Sequence, residues 1–502
     1  MKGKLIGIGL IVLLAVLLSV YWKKDKPLDR WQVHLPAICS FSSPRPVDLN
    51  QDGVLDIVLG AGADEFQGSD SAVIALDGKN GNVLWRVSGR DQMVGSPAFL
   101  TINADEVPDV AISGRAGQLM ALDGKTGSRL WSYYSEADFA RFPDSVFLNF
   151  YGPQLIPDVN EDGTADLLVA NGGDATIPRN DPNRPAGWLM VVSGASGKLL
   201  ARAAMPDSAE TYMTPVCASL ENSDELTIVF GSGGETFGGH LYRAPLADLL
   251  KRDLSKAVEL ASGEPRGFIA TPVIIDVSGD GIADIVANAV DGRMLAFDGA
   301  TNQLLWQVEI PRAEVYGSLA IGNFTGDATP DFFANMGRGI FPEVAQSIQI
   351  MVDGKTGEIS YLDSLGFLQI GSPLAADLNG DGRDEAIMST NWYDPTLTQD
   401  HYYSLYGITN ELLAFDFSEP ATYRLLGTFR GVNPAATPWI GDLDNDQQID
   451  VIYTYITDTV HYRPFNGMKV LRQEVDVSVE QINWGSYMGS AYNGVLYRPN
   501  DL

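Results

Sequence analysis

The chain has 502 residues, with 34 Lys+Arg against 64 Asp+Glu and a formal net charge of −30. That balance excludes a nucleic-acid partner, because phosphate binding needs a basic surface. Aromatic residues at 10% and 52 glycines exclude a disordered chain and fit a sheet protein with many tight turns.

The first element is an apolar run from Leu5 to Trp22, with Lys2 and Lys4 before it and Lys23, Lys24 and Lys26 after it. At about 1.5 Å per residue, a helix over 5–22 spans roughly 27 Å, close to the hydrocarbon thickness of a bilayer. A cleaved signal peptide is the alternative, but the run ends Leu18-Ser19-Val20-Tyr21-Trp22 without a small-residue pair placed for cleavage. The expectation is a signal anchor and short linker over 1–27. It would hold the remainder on the extracytoplasmic side, periplasmic or extracellular.

Everything after residue 27 is one repeat. Its core is a small-Pro-apolar strand, a loop D-x-N-x-D-G-x-x-D, and a second apolar strand. Clear copies start at Asp48, Asp158, Asp276, Asp377 and Asp442; weaker ones start at Thr101 and Asn323, and a shortened relic lies near Ser219. A second motif follows each loop: ALDGKNGNVLW (75–85), ALDGKTGSRLW (121–131), AFDGATNQLLW (296–306) and MVDGKTGEISY (351–361), with a degraded VVSGASGKLLA at 191–201. A D-G-x-T-G core between two apolar runs reads as a hairpin joining third and fourth strands, with the Trp or Tyr in the outer strand. Leu28 to Pro36 resembles Leu304 to Pro311, an outer strand with no blade before it. The fold expected is all-β: a single eight-bladed β-propeller over 28–502, closed by its N-terminal strand.

The Asp-rich loop resembles the FG-GAP repeat of integrin α-type propellers, and the D-G-x-T-G hairpin is similar to the tryptophan-docking repeat of quinoprotein (PQQ-like) propellers. Positions 1, 3 and 5 of the loop put three oxygen side chains inside one turn, Gly at position 6 permits the bend, and an acid at position 9 closes the set. These are donors that suit calcium. The sets are Asp48, Asn50, Asp52, Asp56; Asp158, Asn160, Asp162, Asp166; Asp276, Ser278, Asp280, Asp284; Asp377, Asn379, Asp381, Glu385; and Asp442, Asp444, Asp446, Asp450. About five structural Ca2+ sites are expected, since like-charged carboxylates in one turn repel unless a cation offsets them. Metal-free Asx-turns are the alternative. The sets at Thr101, Asn103, Asp105, Asp109 and at Asn323, Thr325, Asp327, Asp331 are poorer.

Resemblance to quinoprotein dehydrogenases also implies an adjacent cysteine pair against the cofactor. Cys39 and Cys217 are the two cysteines and lie far apart in sequence, so PQQ is not expected. The histidines His34, His240, His401 and His461 fall in different repeats and read as structural. No GxSxG, HExxH or Walker-type loop occurs. Catalytic residues are therefore not assigned. The links between second and third strands vary most. Asn171–Trp188 brings Arg179 and Arg184, and Thr390–Tyr406 brings Trp392, Tyr393, Tyr402 and Tyr403; both are candidate ligand-binding loops on a rigid scaffold. The function these features support is a membrane-anchored, calcium-stabilised module that binds or assembles proteins. A carbohydrate-binding or polysaccharide lyase-like propeller is the alternative.

Overall fold

The computed structural model describes residues 30–142, 146–174, 176–221, 223, 225–327, 329–339, 346–367, 369–393, 407–418, 421–457 and 467–496. The segment 5–22 lies outside the described residues. Among the described residues no helix is long and apolar enough to cross a membrane.

Eight antiparallel sheets form the blades of one propeller. From inner to outer strand, blade 1 is Arg45–Val47, Asp56–Gly60, Ser69–Leu76 and Val83–Gly89. Blade 2 is Ala98–Leu100, Asp109–Ser113, Leu119–Leu122 and Arg129–Ser132. Blade 3 is Asn149–Ile156, Asp166–Gly172, Trp188–Val192 and Leu199–Ala204. Blade 4 is Val216–Ala218, Thr227–Gly231, Gly239–Pro245 and Val258–Gly263. Blade 5 is Val273–Ile275, Asp284–Asn288, Arg293–Phe297 and Leu304–Glu309. Blades 6 and 7 begin at Ala320–Gly322 and Leu374–Ala376. Blade 8 is Trp439–Gly441, Gln448–Ile456 and Gly467–Ser478, and its outer strand is Arg30–Pro36 from the other end of the chain.

Burial explains the pattern of each strand. Second strands such as DIVLG and DVAIS are buried along their whole length, because both sheet faces pack on neighbouring blades. Outer strands alternate, as in LLWQVE, with one side in solvent. The core is therefore a series of layers between blades. Val58, Val73 and Trp85 of blade 1 pack with Val110, Ile112 and Met120 of blade 2. The series closes where Leu35, Met468 and Ile452 of blade 8 meet Ile57 and Ile74 of blade 1.

The hairpin motif joins these layers. Trp85 Nε1 donates to the Gly124 carbonyl in the D-G turn of the next blade at 2.7 Å; Trp31, Trp131 and Trp306 bond Gly78, Gly194 and Gly354 in the same way. The two glycines of the motif have separate jobs. A Cβ on Gly124 would lie 1.8 Å from the Pro108 carbonyl oxygen, whereas one on Gly127 (φ +71°) would lie 2.8 Å from the Trp85 indole. Blade 5 carries Asn302 (φ 63°) at the second position, and the blade before it has no tryptophan in its outer strand VELASG. In blade 4 the hairpin is replaced by a short helix, Leu246–Leu250.

Candidate functional site

The Asp-rich loops lie between inner and second strands, on the same end of the ring as the D-G turns. The carboxylate at position 9 ties the two together. Asp56 accepts from the amides of Leu49, Asn50 and Gly78, and Asp109, Asp166, Asp284 and Asp331 accept from the first glycines of the hairpin turns, Gly124, Gly194 (after Ser193), Gly299 and Gly354. These groups are buried, and burial pushes Asp56 and Asp331 up to about 6 and Glu385 up to about 7. The position-1 acids do different work. Asp48, Asp158, Asp276 and Asp377 each accept an amide from the position-6 glycine.

Asp158, Asp162 and Asp166 bring carboxylate oxygens within 4.8 Å of one another, and so do Asp442, Asp444 and Asp450. The first set has Asn160 beside it and fits a hard, oxygen-seeking cation. The second already holds a cation of the chain's own. Arg472, 2% exposed, donates to Asp450 from Nε at 2.7 Å and to Asp444 from Nη2 at 2.6 Å. Sequence spacing treats the two loops alike; the difference comes from a strand 22 residues downstream of Asp450.

The central channel is filled from the Asp-loop end by residues 482–496. Ile482–Trp484 adds to the inner strand of blade 7, the Gly485 carbonyl accepts from Ile440 N, and the Gly494 carbonyl accepts from Ile274 N. Trp484 and Met488 are buried inside. A cavity of about 180 Å³ remains at the opposite end, with Tyr487 of this plug among its lining residues.

That opposite end carries the variable links. Arg184 forms an ion pair with Glu210 and donates to the Tyr212 hydroxyl at 2.9 Å, while Tyr212 donates to Glu210 at 2.6 Å. Arg266 pairs with Glu314, which accepts from Tyr316 at 2.7 Å. Glu-x-Tyr-x-Ser/Thr thus occurs twice, at 210–214 and 314–318, each time just before an inner strand. Between the two lies a cleft lined by Arg179, Glu235, Arg266 and Tyr316. Burial raises the Glu235 carboxyl above its ordinary range, opposed by Arg179.

Of the candidate ligand residues, Arg179 and Arg184 are brought into this one cluster. Trp392 is half-buried, and its Nε1 donates to Glu411 at 3.1 Å. Tyr393 is exposed and meets Phe367 edge-on. Tyr402, Tyr403, His401 and His461 lie outside the described residues. His240 Nδ1 is 2.8 Å from Asp207, and the Ser232 hydroxyl donates to the same carboxylate oxygen. The serine is therefore bonded to the acid and not to the imidazole, so the trio lacks the serine-to-imidazole bond of an activated nucleophile. Cys39 and Cys217 are both unpaired. The repeated Glu-x-Tyr links precede inner strands, outside the variable links between second and third strands, and two copies 104 residues apart are their signal in the sequence.

Fold and repeat together define the class: an eight-bladed β-propeller, with a PQQ-like repeat match over residues 48–145. A family model described as outer membrane protein assembly factor BamB matches residues 48–145, in blades 1 and 2 and the segment after them. No curated protein matches the sequence. Among solved structures, the chain is similar to quinohemoprotein alcohol dehydrogenase ADHIIG from Pseudomonas putida HK5, at 12% identity over 89% of this chain and 76% of that one, with a TM-score of 0.56. A europium-containing methanol dehydrogenase is similar at 12% identity over 88% and 93%, with a TM-score of 0.51. BamB from Moraxella catarrhalis aligns at 13% identity over 89% and 99%, with a TM-score of 0.45. At these identities the dehydrogenase structures establish a shared fold.

Proposed function

We propose that this propeller is a non-catalytic module that binds or assembles proteins through the end of the ring carrying Arg179, Arg184 and the Glu-x-Tyr links. One observation carries the reading: in the rim cluster Glu210 and Glu314 are neutralised by arginines, and the channel beneath is filled by the chain's own residues 482–496. The family-model match at 48–145 supports it. We propose further that residues 5–22 anchor the ring to a membrane with the propeller on the extracytoplasmic side. Calcium would occupy the FG-GAP-like loops, best at Asp158, Asn160 and Asp162, where it would cancel repulsion between carboxylates and stiffen the turn. Such an ion would be structural, because a cage made wholly of protein donors leaves little room for a substrate.

A second reading, a carbohydrate-active propeller, is favoured by Glu235 and the paired Glu-x-Tyr links around one cleft. Affinity purification of the full chain from its membrane fraction, beside an Arg179→Glu variant of unchanged melting temperature, separates the two. The binding reading expects a protein retained in stoichiometric amount by wild type and lost by the variant. Cleavage of a polysaccharide by the wild-type chain, abolished in Glu235→Gln, would overturn it.

A further inference from the structure

The cavity left above the plug has a chemistry that the rim does not share. Arg45, on the inner strand of blade 1, lines it and is 2% exposed. Its Nη1 donates to the Pro97 carbonyl at 2.6 Å, and its Nε has no hydrogen-bond acceptor among the described residues. The guanidinium lies 4.4 Å over the ring of Tyr492, which burial holds as a neutral phenol. No carboxylate among the described residues pairs with Arg45, and desolvation lowers its pKa to about 10. Burying an arginine without a counter-ion is unfavourable even after relaxation.

Around the same cavity runs a ring of hydroxyls. Ser318 N donates to Ser372 Oγ at 2.9 Å, Ser372 N to Thr437 Oγ1 at 3.0 Å, Thr437 N to Ser43 Oγ at 3.1 Å, and Ser43 N to Ser96 Oγ at 3.2 Å. Each of these four hydroxyls is more than nine-tenths buried and accepts a backbone amide from the neighbouring blade. Their protons have no acceptor among the described residues. Four O–H donors and one unpaired guanidinium therefore line one small space, with Tyr151, Tyr316 and Tyr487 among the other lining residues.

We infer that this cavity is a binding site for a small organic carboxylate, held by Arg45 and the hydroxyl ring. One guanidinium, with no second arginine or lysine in the lining, matches a single negative charge in place of a phosphate dianion. Hydroxyl donors satisfy the remaining lone pairs, as buried polar groups require. The aromatic walls accommodate an organic body.

Calorimetric titration of the full chain with sodium benzoate, sodium acetate and the neutral benzyl alcohol, at constant ionic strength set by chloride, tests this. The expected result is that wild type binds benzoate at least about tenfold more tightly than benzyl alcohol, in line with a charge-assisted pair. Arg45→Met should bring that ratio to about one, and Thr437→Val should weaken both carboxylates with little effect on the alcohol. In chloride alone Arg45→Met should melt no lower than wild type, because it removes an uncompensated buried charge. Absence of carboxylate binding in wild type, or a benzoate preference that survives Arg45→Met, would overturn the assignment. Should Arg45→Met fail to fold, the wild-type ratio and Thr437→Val decide it.

Discussion

Replacing Trp85 by Phe isolates the bond that joins blade 1 to blade 2. The indole is 7% exposed, and its N–H is the side-chain donor to the Gly124 carbonyl at 2.7 Å. Phe keeps most of the apolar contact and leaves that carbonyl buried without the indole partner, a loss of about 1–3 kcal/mol. Trp85→Ala adds a cavity between the blades and should cost about 3–5 kcal/mol. The neighbour's side of the contact can be perturbed independently. Gly127→Ala places a methyl 2.8 Å from the indole at φ +71° and should cost about 1–2 kcal/mol. Both changes act on one interface, so the double variant should fall short of the sum by about 0.5 kcal/mol or more. Urea unfolding followed by tryptophan fluorescence measures each midpoint. A Trp85→Phe midpoint equal to wild type, or strict additivity with Gly127→Ala, would refute the idea that the indole bond holds the blades together.

Calcium at the Asp158 loop should raise the melting temperature, by the equivalent of about 2.7 kcal/mol at a hundred times the dissociation constant. Asp162→Asn should remove much of that response to calcium and chelator, and an unchanged melting curve in chelator would refute the site. In chelator, Glu385 has a folded-state pKa of about 7 against an ordinary 4.5, so the native state holds its proton more tightly than the unfolded chain. The stability this supplies is present below pH 4.5 and lost as pH rises towards 7. Glu385→Gln, which cannot ionise, should therefore gain on wild type by up to about 3 kcal/mol across that window. A difference that does not change with pH would contradict it. Met488→Ala, at the buried end of the plug, should cost about 2–5 kcal/mol by chemical denaturation, and an unchanged midpoint would mean the plug does not brace the channel.

The ring was legible because its information is local. D-G-x-T-G needs two glycines for two nearby contacts, and strand periodicity records which faces are buried, so the eight units stand out. The plug was not legible: residues 482–496 have no repeat, and their place depends on the empty centre that eight blades leave behind. Arg45 was hidden for a related reason. Ser-Pro-Arg-Pro-Val fits the small-Pro-apolar pattern, and nothing in the pattern tells that this side chain lies over Tyr492, 447 residues away in the chain. Arg472 was overlooked because its role depends on register, which places it opposite Trp31 on one side and Ile452 on the other.

Blade 8 draws its strands from both ends of the chain, and Gln32 bonds Tyr455 across 423 residues. At ordinary rates of synthesis the outer strand around Trp31 waits roughly 20–85 s for its partner to be made. During that time it offers an unpaired edge, and so does each newest blade behind it. Ring closure is then a single zipping step that converts an open arc into a ring. A nascent chain stalled before residue 467 would be a row of blades with two live edges, the form of this protein most exposed to aggregation and most in need of a chaperone.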